Sequence, residues 1–253
     1  MDHHFTSSSM DQNMPIILAL LGVWYRNFFE HSTHAILSYD NALSKFVSYF
    51  QMSDMESSGK SVTQSGEPVE YSTGHILWGE TGTNCQHIFN QLLHQGTEVV
   101  PVDLIAFAKP VSEELFINKR HHNVLLANVL AQGEIMMRGR TAEDVKAQEP
   151  GVADNLVAHK TYQGNKPSNT IVIKKLTPYA LGNLMALYEH KIFVQGCLWG
   201  INSFDRFGVE HGKVCADQME PLLAEDVTET DKDASTDGLL QFIREMQVFN
   251  PFA

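Results

Sequence analysis

Residues 75–108, HILWGETGTNCQHIFNQLLHQGTEVVPVDLIAFA, pass from an apolar stretch through a Gly-Thr-Asn turn into a helical pattern, then into a second apolar, β-branched stretch. Two strands joined by a helix imply a crossover connection, which makes them parallel strands of one sheet and lays the helix against it. Working outward, HAILSY (34–39) and SNTIVIKKL (168–176) carry the same strand signature between Gly, Pro, Asn and Asp residues. Helical periodicity fills the intervals: 14–29, 41–52, 84–95, 118–138, 141–148, 178–189, 190–202, 206–221 and 237–247. Alternation of this kind predicts an α/β fold with a largely parallel sheet covered by helices on both faces. Ligands of such sheets usually bind beyond the carboxyl ends of the strands. The opening segment predicts a strand ending near Glu80 and a helix with Gln86 and His87 in its first turn, where free N–H groups would favour an anion.

The chain has 253 residues, 43% hydrophobic and 19% charged, which is the composition of a folded globular protein. A net charge of -12 disfavours non-specific attachment to nucleic acid or to anionic membranes. Cys85, Cys197 and Cys215 are odd in number and form neither a Cys-x-x-Cys pair nor a zinc-like pattern, so they read as reduced thiols of a cytoplasmic protein, with no metal site. The apolar run MPIILALLGVWY (14–25) follows MDHHFTSSSMDQN, which lacks the basic flank of a signal sequence. It is also short for a membrane span, and it reads as a buried helix with Asn13 as N-cap and Pro15 in the first turn. No internal repeat is present. The stretch 150–169 reads as a long connection carrying a mobile or hairpin element, and 224–238 as an acidic loop ending at a cap near Ser235 or Thr236.

Within SDMESSGKSV (53–62), Glu56 lies at the seam between a helix and a polar loop. Taken alone it is one of thirty acidic residues, and His87 and Lys213 taken alone are an ordinary histidine and a solvated helix lysine. The motifs around them carry more. LLGVWYRNFF (20–29), THAILSYD (33–40), DMESSGK (54–60), 79–103, HHNVLLANVLAQ (121–132), 164–196, SFDRFGVEHGK (203–213) and ASTDGLLQFI (234–243) together resemble, in this order, the C-terminal half of the glucose-6-phosphate isomerases, also called phosphoglucose isomerases.

That resemblance implies a sugar-isomerase (SIS) type domain over about 14–200, with a parallel sheet of about five strands sandwiched by helices, and a C-terminal helical segment over about 201–253. It implies interconversion of glucose 6-phosphate and fructose 6-phosphate through a cis-enediol, in glycolysis and gluconeogenesis, without metal or organic cofactor. Glu56 falls at the position of the base that moves a proton between neighbouring carbons, His87 at that of the histidine assisting ring opening, and Lys213 at that of a donor to substrate oxygens. The family is dimeric, and its histidine reaches the site across the subunit interface.

Departures from the family pattern matter equally. Met52 and Arg206 stand where the family usually has Gln; Met52 cannot donate an N–H, whereas Arg206 can grip phosphate or pair with Asp205 or Glu210. Thr81 and Cys85 replace the usual Pro and Gly of the turn before His87. The family's phosphate loop and Gly-Gly-Arg segment belong to a preceding half without counterpart here, and RGR (138–140) reads as a solvated helix terminus rather than a substitute. The expectation is therefore a fragment with little or no activity alone. The alternative is a non-catalytic sugar-phosphate binding or dimerising module.

Overall fold

The computed structural model describes residues 1–111, 116–224 and 230–248. In chain order the elements are α1 (Asp2–Ser7), α2 (Met14–Asn27), β1 (Thr33–Ser38), α3 (Phe46–Ser58), β2 (Ile76–Thr81), α4 (Gly82–Ile88), α5 (Asn90–Gln95), β3 (Val102–Lys109), α6 (Phe116–Arg138), β4 (Gly139–Arg140), α7 (Ala142–Gln148), α8 (Asp154–Lys160), β5 (Tyr162–Gln163), β6 (Ser168–Lys175), α9 (Pro178–Trp199), α10 (Phe207–Ala224) and α11 (Ala234–Val248). They fall into two units, Met1–Phe204 and Asp205–Ala253.

The first unit is built on four parallel strands in the order β2-β1-β3-β6. About five strands were expected; among the described residues the parallel sheet has four. The short β4 and β5 pair with each other, antiparallel, in a separate two-stranded sheet. Because side chains alternate along a strand, the sheet has two distinct faces. Ile36, Leu77, Ile105 and Phe107 face Phe46, Val47 and Phe50 of α3 and Leu184, Leu187, Tyr188 and Ile192 of α9. Ala35, Leu37, Val102, Leu104 and Ala106 face Cys85 of α4, Leu93 of α5, and Val129 and Met136 of α6.

Local chemistry sets the helix limits. Asn13 accepts from the Ile16 N–H at the start of α2, with Pro15 in the first turn, as expected. The two helices expected over 178–202 are one, capped by Thr177, whose hydroxyl accepts from the Ala180 N–H, and closed by Gly200 in the left-handed conformation. The helix expected over 84–95 is instead two short ones, broken at Phe89, which turns its ring onto Trp78. RGR is only partly a helix terminus: Arg138 ends α6, while Gly139 and Arg140 form β4 and Arg140 pairs with Glu149 at 3.0 Å. Where a mobile or hairpin element was expected within 150–169, the chain forms α8 and the two-residue β5, and β5 pairs with β4 outside that stretch, so no hairpin closes within it.

In the second unit, α10 and α11 pack together, and Arg244 donates from Nε to the Leu222 carbonyl at 2.7 Å. The cap of α11 is Asp233, not Ser235 or Thr236, since one Asp233 oxygen accepts from both of their N–H groups. Residues 225–229 of the acidic loop lie outside the described residues. Among the described residues, no helix is long and apolar enough to cross a membrane.

Candidate active site

Glu56 occupies the last turn of α3 and is half-buried. Helix α3 faces inward through Phe46, Val47, Phe50, Asp54, Ser57 and Ser58, a spacing of three and four residues that keeps one stripe on the sheet. Glu56, two positions from Asp54, is turned about 200° around the axis from it. Met52 lies four residues before Glu56 and is 59% exposed. The end of α3 is fixed against the chain entering β2. Gly74 has φ +48°, and a methyl group there would lie 2.9 Å from the Ser58 carbonyl oxygen. Arg26 of α2 donates to the Gly74 carbonyl at 2.8 Å, and Gln51 of α3 donates to the Leu77 carbonyl at 3.0 Å. The last turn of α3 therefore sits beside the amino end of β2.

His87 belongs to the other face. Helix α4 begins directly after β2, at its carboxyl end, and places His87, exposed, in its last turn rather than its first. Gly82 is required there, because a Cβ would lie 2.3 Å from the Tyr39 ring. Cys85 fits by burying its thiol and donating to the Gly82 carbonyl at 2.6 Å; burial pushes that thiol up to about 11. Thr81 donates its backbone N–H to the Glu80 carboxylate at 2.7 Å. Gln86 donates to Asn128 of α6 at 2.7 Å, tying α4 to its neighbour on this face.

Glu56 and His87 of one copy thus stand on helices covering opposite faces of the sheet. Lys213, on α10, and Arg206, just before it, are exposed residues of the second unit, and the Arg206 carbonyl accepts from the Val209 N–H. Among the described residues no group of three or more His, Cys, Asp and Glu could hold a metal ion. Cys85, Cys197 and Cys215 are free thiols.

Beneath α3 the structure assembles buried polar groups that the sequence did not single out. Asp103 of β3 is bonded by His34 of β1 at 2.9 Å, by Tyr188 of α9 at 2.9 Å and by Asn169 of β6 at 2.8 Å. Burial alone would raise the Asp103 carboxyl, but His34, Lys191 and Asn169 outweigh it and hold the group well below the usual carboxylate range. Burial, reinforced by His34, Lys191 and Arg26, pushes His75 down to about 2. Lys191 lies 3.5 Å from Asp54 of α3, and both side chains are almost fully buried. Lys191 and Gln195 stand in the buried stripe of α9, polar residues among apolar ones.

Comparison with known proteins bears on these positions. The family model "Phosphoglucose isomerase" matches residues 1–240. A glucose-6-phosphate isomerase of Frankia casuarinae is 51% identical over 96% of this chain, and glucose-6-phosphate isomerase 1 of Streptomyces avermitilis is 49% identical over 96%. Each alignment covers 44% of the relative, so the chain spans less than half the length of these proteins. Among solved structures, a glucose-6-phosphate isomerase from Chlamydia trachomatis superposes with a TM-score of 0.78 at 35% identity, over 97% of this chain and 44% of the other. The hypothetical protein TT0462 from Thermus thermophilus, at 22% identity and a TM-score of 0.62 over 84% of this chain and 46% of the other, shares the fold. The chain belongs to the phosphoglucose isomerase family.

Proposed function

We propose that this chain supplies the proton-transfer half of an aldose–ketose isomerase site for glucose 6-phosphate and fructose 6-phosphate, working in the cytoplasm within a homodimer. Glu56 is the base: a single carboxylate can take a proton from one carbon and return it to the next through a cis-enediol. His87 moves the proton that opens the sugar ring, and Lys213 donates to substrate oxygens. Arg206 adds a cation for phosphate, while Met52 leaves one sugar contact unmade. No cofactor is needed, because the same atoms are redistributed within one substrate. The observation that carries this reading is Glu56 in the Asp-Met-Glu-Ser sequence of a chain matching the family over residues 1–240, half-buried on a helix end braced from both sides. The separation of Glu56 and His87 onto opposite faces supports a site completed by the histidine of a second copy.

A second reading has its own support. Because the chain spans 44% of its relatives, a non-catalytic sugar-phosphate binding or dimerising module is the alternative. A coupled dehydrogenase assay separates the two. Loss of one positioning contact costs on the order of a hundredfold in rate, and loss of an electrostatic donor to the enediolate about a hundred- to a thousandfold. The chain alone should therefore show negligible turnover, and adding the family's preceding half should restore activity that Glu56→Gln abolishes. Full activity in the Glu56→Gln assembly would overturn the assignment of the base, and no recovery on adding that half would favour the binding module.

A further inference from the structure

Helix α3 is fastened to α9 in two different ways along its length. Its first turns carry aromatic contacts: Phe46 and Phe50 lie against Tyr188 with ring centroids 5.5 and 5.1 Å apart. Its last turns carry a charge pair instead, Asp54 to Lys191, in a layer shielded from water. Lys191 is 2% exposed and stands in a stripe with Leu184, Leu187, Tyr188 and Ile192, where an apolar side chain would satisfy packing alone. Burying two charges costs desolvation that their attraction seldom exceeds, so such a pair is a poor stabiliser compared with apolar residues of similar size. What it supplies is direction. Apolar helices can slide or rotate over one another at small cost, whereas a buried carboxylate and ammonium tolerate only arrangements that keep them together.

The place where that direction is applied is the end of α3. Gly59, which follows the helix, has φ −77° and does not form the left-handed closure common at helix ends. Asp54 is one turn from Ser58 and two residues from Glu56, so the pair holds the turn from inside while the Glu56 carboxylate projects elsewhere. Rotation or fraying of this turn would move that carboxylate directly.

We propose that Lys191, acting through Asp54, is a positioning residue that sets the placement of Glu56. The inference rests on the reading of Glu56 as the base and adds to it a device on α9, outside the motif that carries the base. Lys191→Met alone leaves Asp54 buried and unpaired and can fail to fold, so the informative variant is Lys191→Met with Asp54→Leu, which removes both charges and keeps apolar volume.

Two measurements decide. Amide hydrogen exchange on the full chain needs no turnover: in the double variant the amides of residues 55–59 should exchange about tenfold faster, with those of β1 and β3 unchanged. Exchange that is unaltered, or raised uniformly across the chain, overturns the inference. In the chain assembled with the family's preceding half, the double variant should lower kcat by about ten- to a hundredfold with KM unchanged. Wild-type kcat in the double variant, beside an inactive Glu56→Gln control, overturns this inference alone. Full activity in the Glu56→Gln control overturns the assignment of the base, and this inference with it.

Discussion

The two faces of the sheet are made of different materials. Under α4, α5 and α6 the strands present Ala35, Leu37, Val102, Leu104 and Ala106 to an apolar layer. Under α3 and α9 the same strands present His34 and Asp103 as well as Ile36 and Ile105, and the helices answer with Tyr188, Lys191 and Asp54. One sequence alternation builds both faces, since residues 102, 104 and 106 point one way and 103, 105 and 107 the other. The difference teaches that packing and placement have been separated. Apolar contact holds the helix carrying His87 against the strands, with hydrogen bonds such as Gln86 to Asn128 running between helices, while the helix carrying Glu56 also meets its neighbour through a buried charge pair, Asp54 with Lys191.

The contrast can be broken most sharply at adjacent positions of β3. Asp103→Ala removes the acceptor shared by His34, Tyr188 and Asn169 and leaves buried polar groups unpaired, so it should cost about 3–5 kcal/mol in denaturant unfolding. A cost below about 1 kcal/mol would mean that this layer is not structural. On the other face, Leu104→Ala should cost about 3 kcal/mol through lost burial and a cavity, and the loss should be independent of pH.

His75 sharpens the comparison through its acid response. Its folded pKa is depressed to about 2, while an unfolded histidine titrates near 6.5, so between these values the unfolded chain binds the extra proton. Stability contributed by neutral His75 is thus complete above about pH 6.5 and falls as the pH drops, by at most about 1.4 kcal/mol per pH unit. Asp103 adds its own loss at lower pH, below the usual carboxylate range, because its folded pKa is also depressed. His75→Gln should flatten the stability profile between about pH 4 and 6.5. An unchanged profile would place the acid response elsewhere. The smallest effect belongs to the α2 cap: Asn13→Ala removes the bond accepted from the Ile16 N–H and the one donated to the Phe5 carbonyl, and should cost about 1–2 kcal/mol while altering neither face.

Much of this architecture was legible. HILWGE, HAILSY and SNTIVIKKL carry strands, TEVVPVDLIAFA carries one only from Val102 onward, and the helices between them go with the parallel order. The break at Phe89 was not legible, because the periodicity runs through it and only the contact with Trp78 explains the turn. The continuity of α9 was missed for the opposite reason: Glu189 and His190 look like an interruption, yet they lie on its outer side while Tyr188 and Lys191 face inward. For the candidate site, the motif pointed to Glu56, His87 and Lys213 but said nothing of which helix covers which face. Lys191 was hidden because lysines are rarely buried, and its partner Asp54 lies far away in sequence.

Under the proposed function, Glu56 and His87 of one copy serve different sites, each completed by a second copy. Chains carrying Glu56→Gln and chains carrying His87→Ala, each assembled with the family's preceding half, should be inactive separately. Mixed and allowed to exchange subunits, half the pairs become hybrids with one intact site each, and activity should return to roughly a quarter of the unmutated level. A mixture that exchanges subunits and stays inactive would contradict the account, since both residues would then have to act within the same copy.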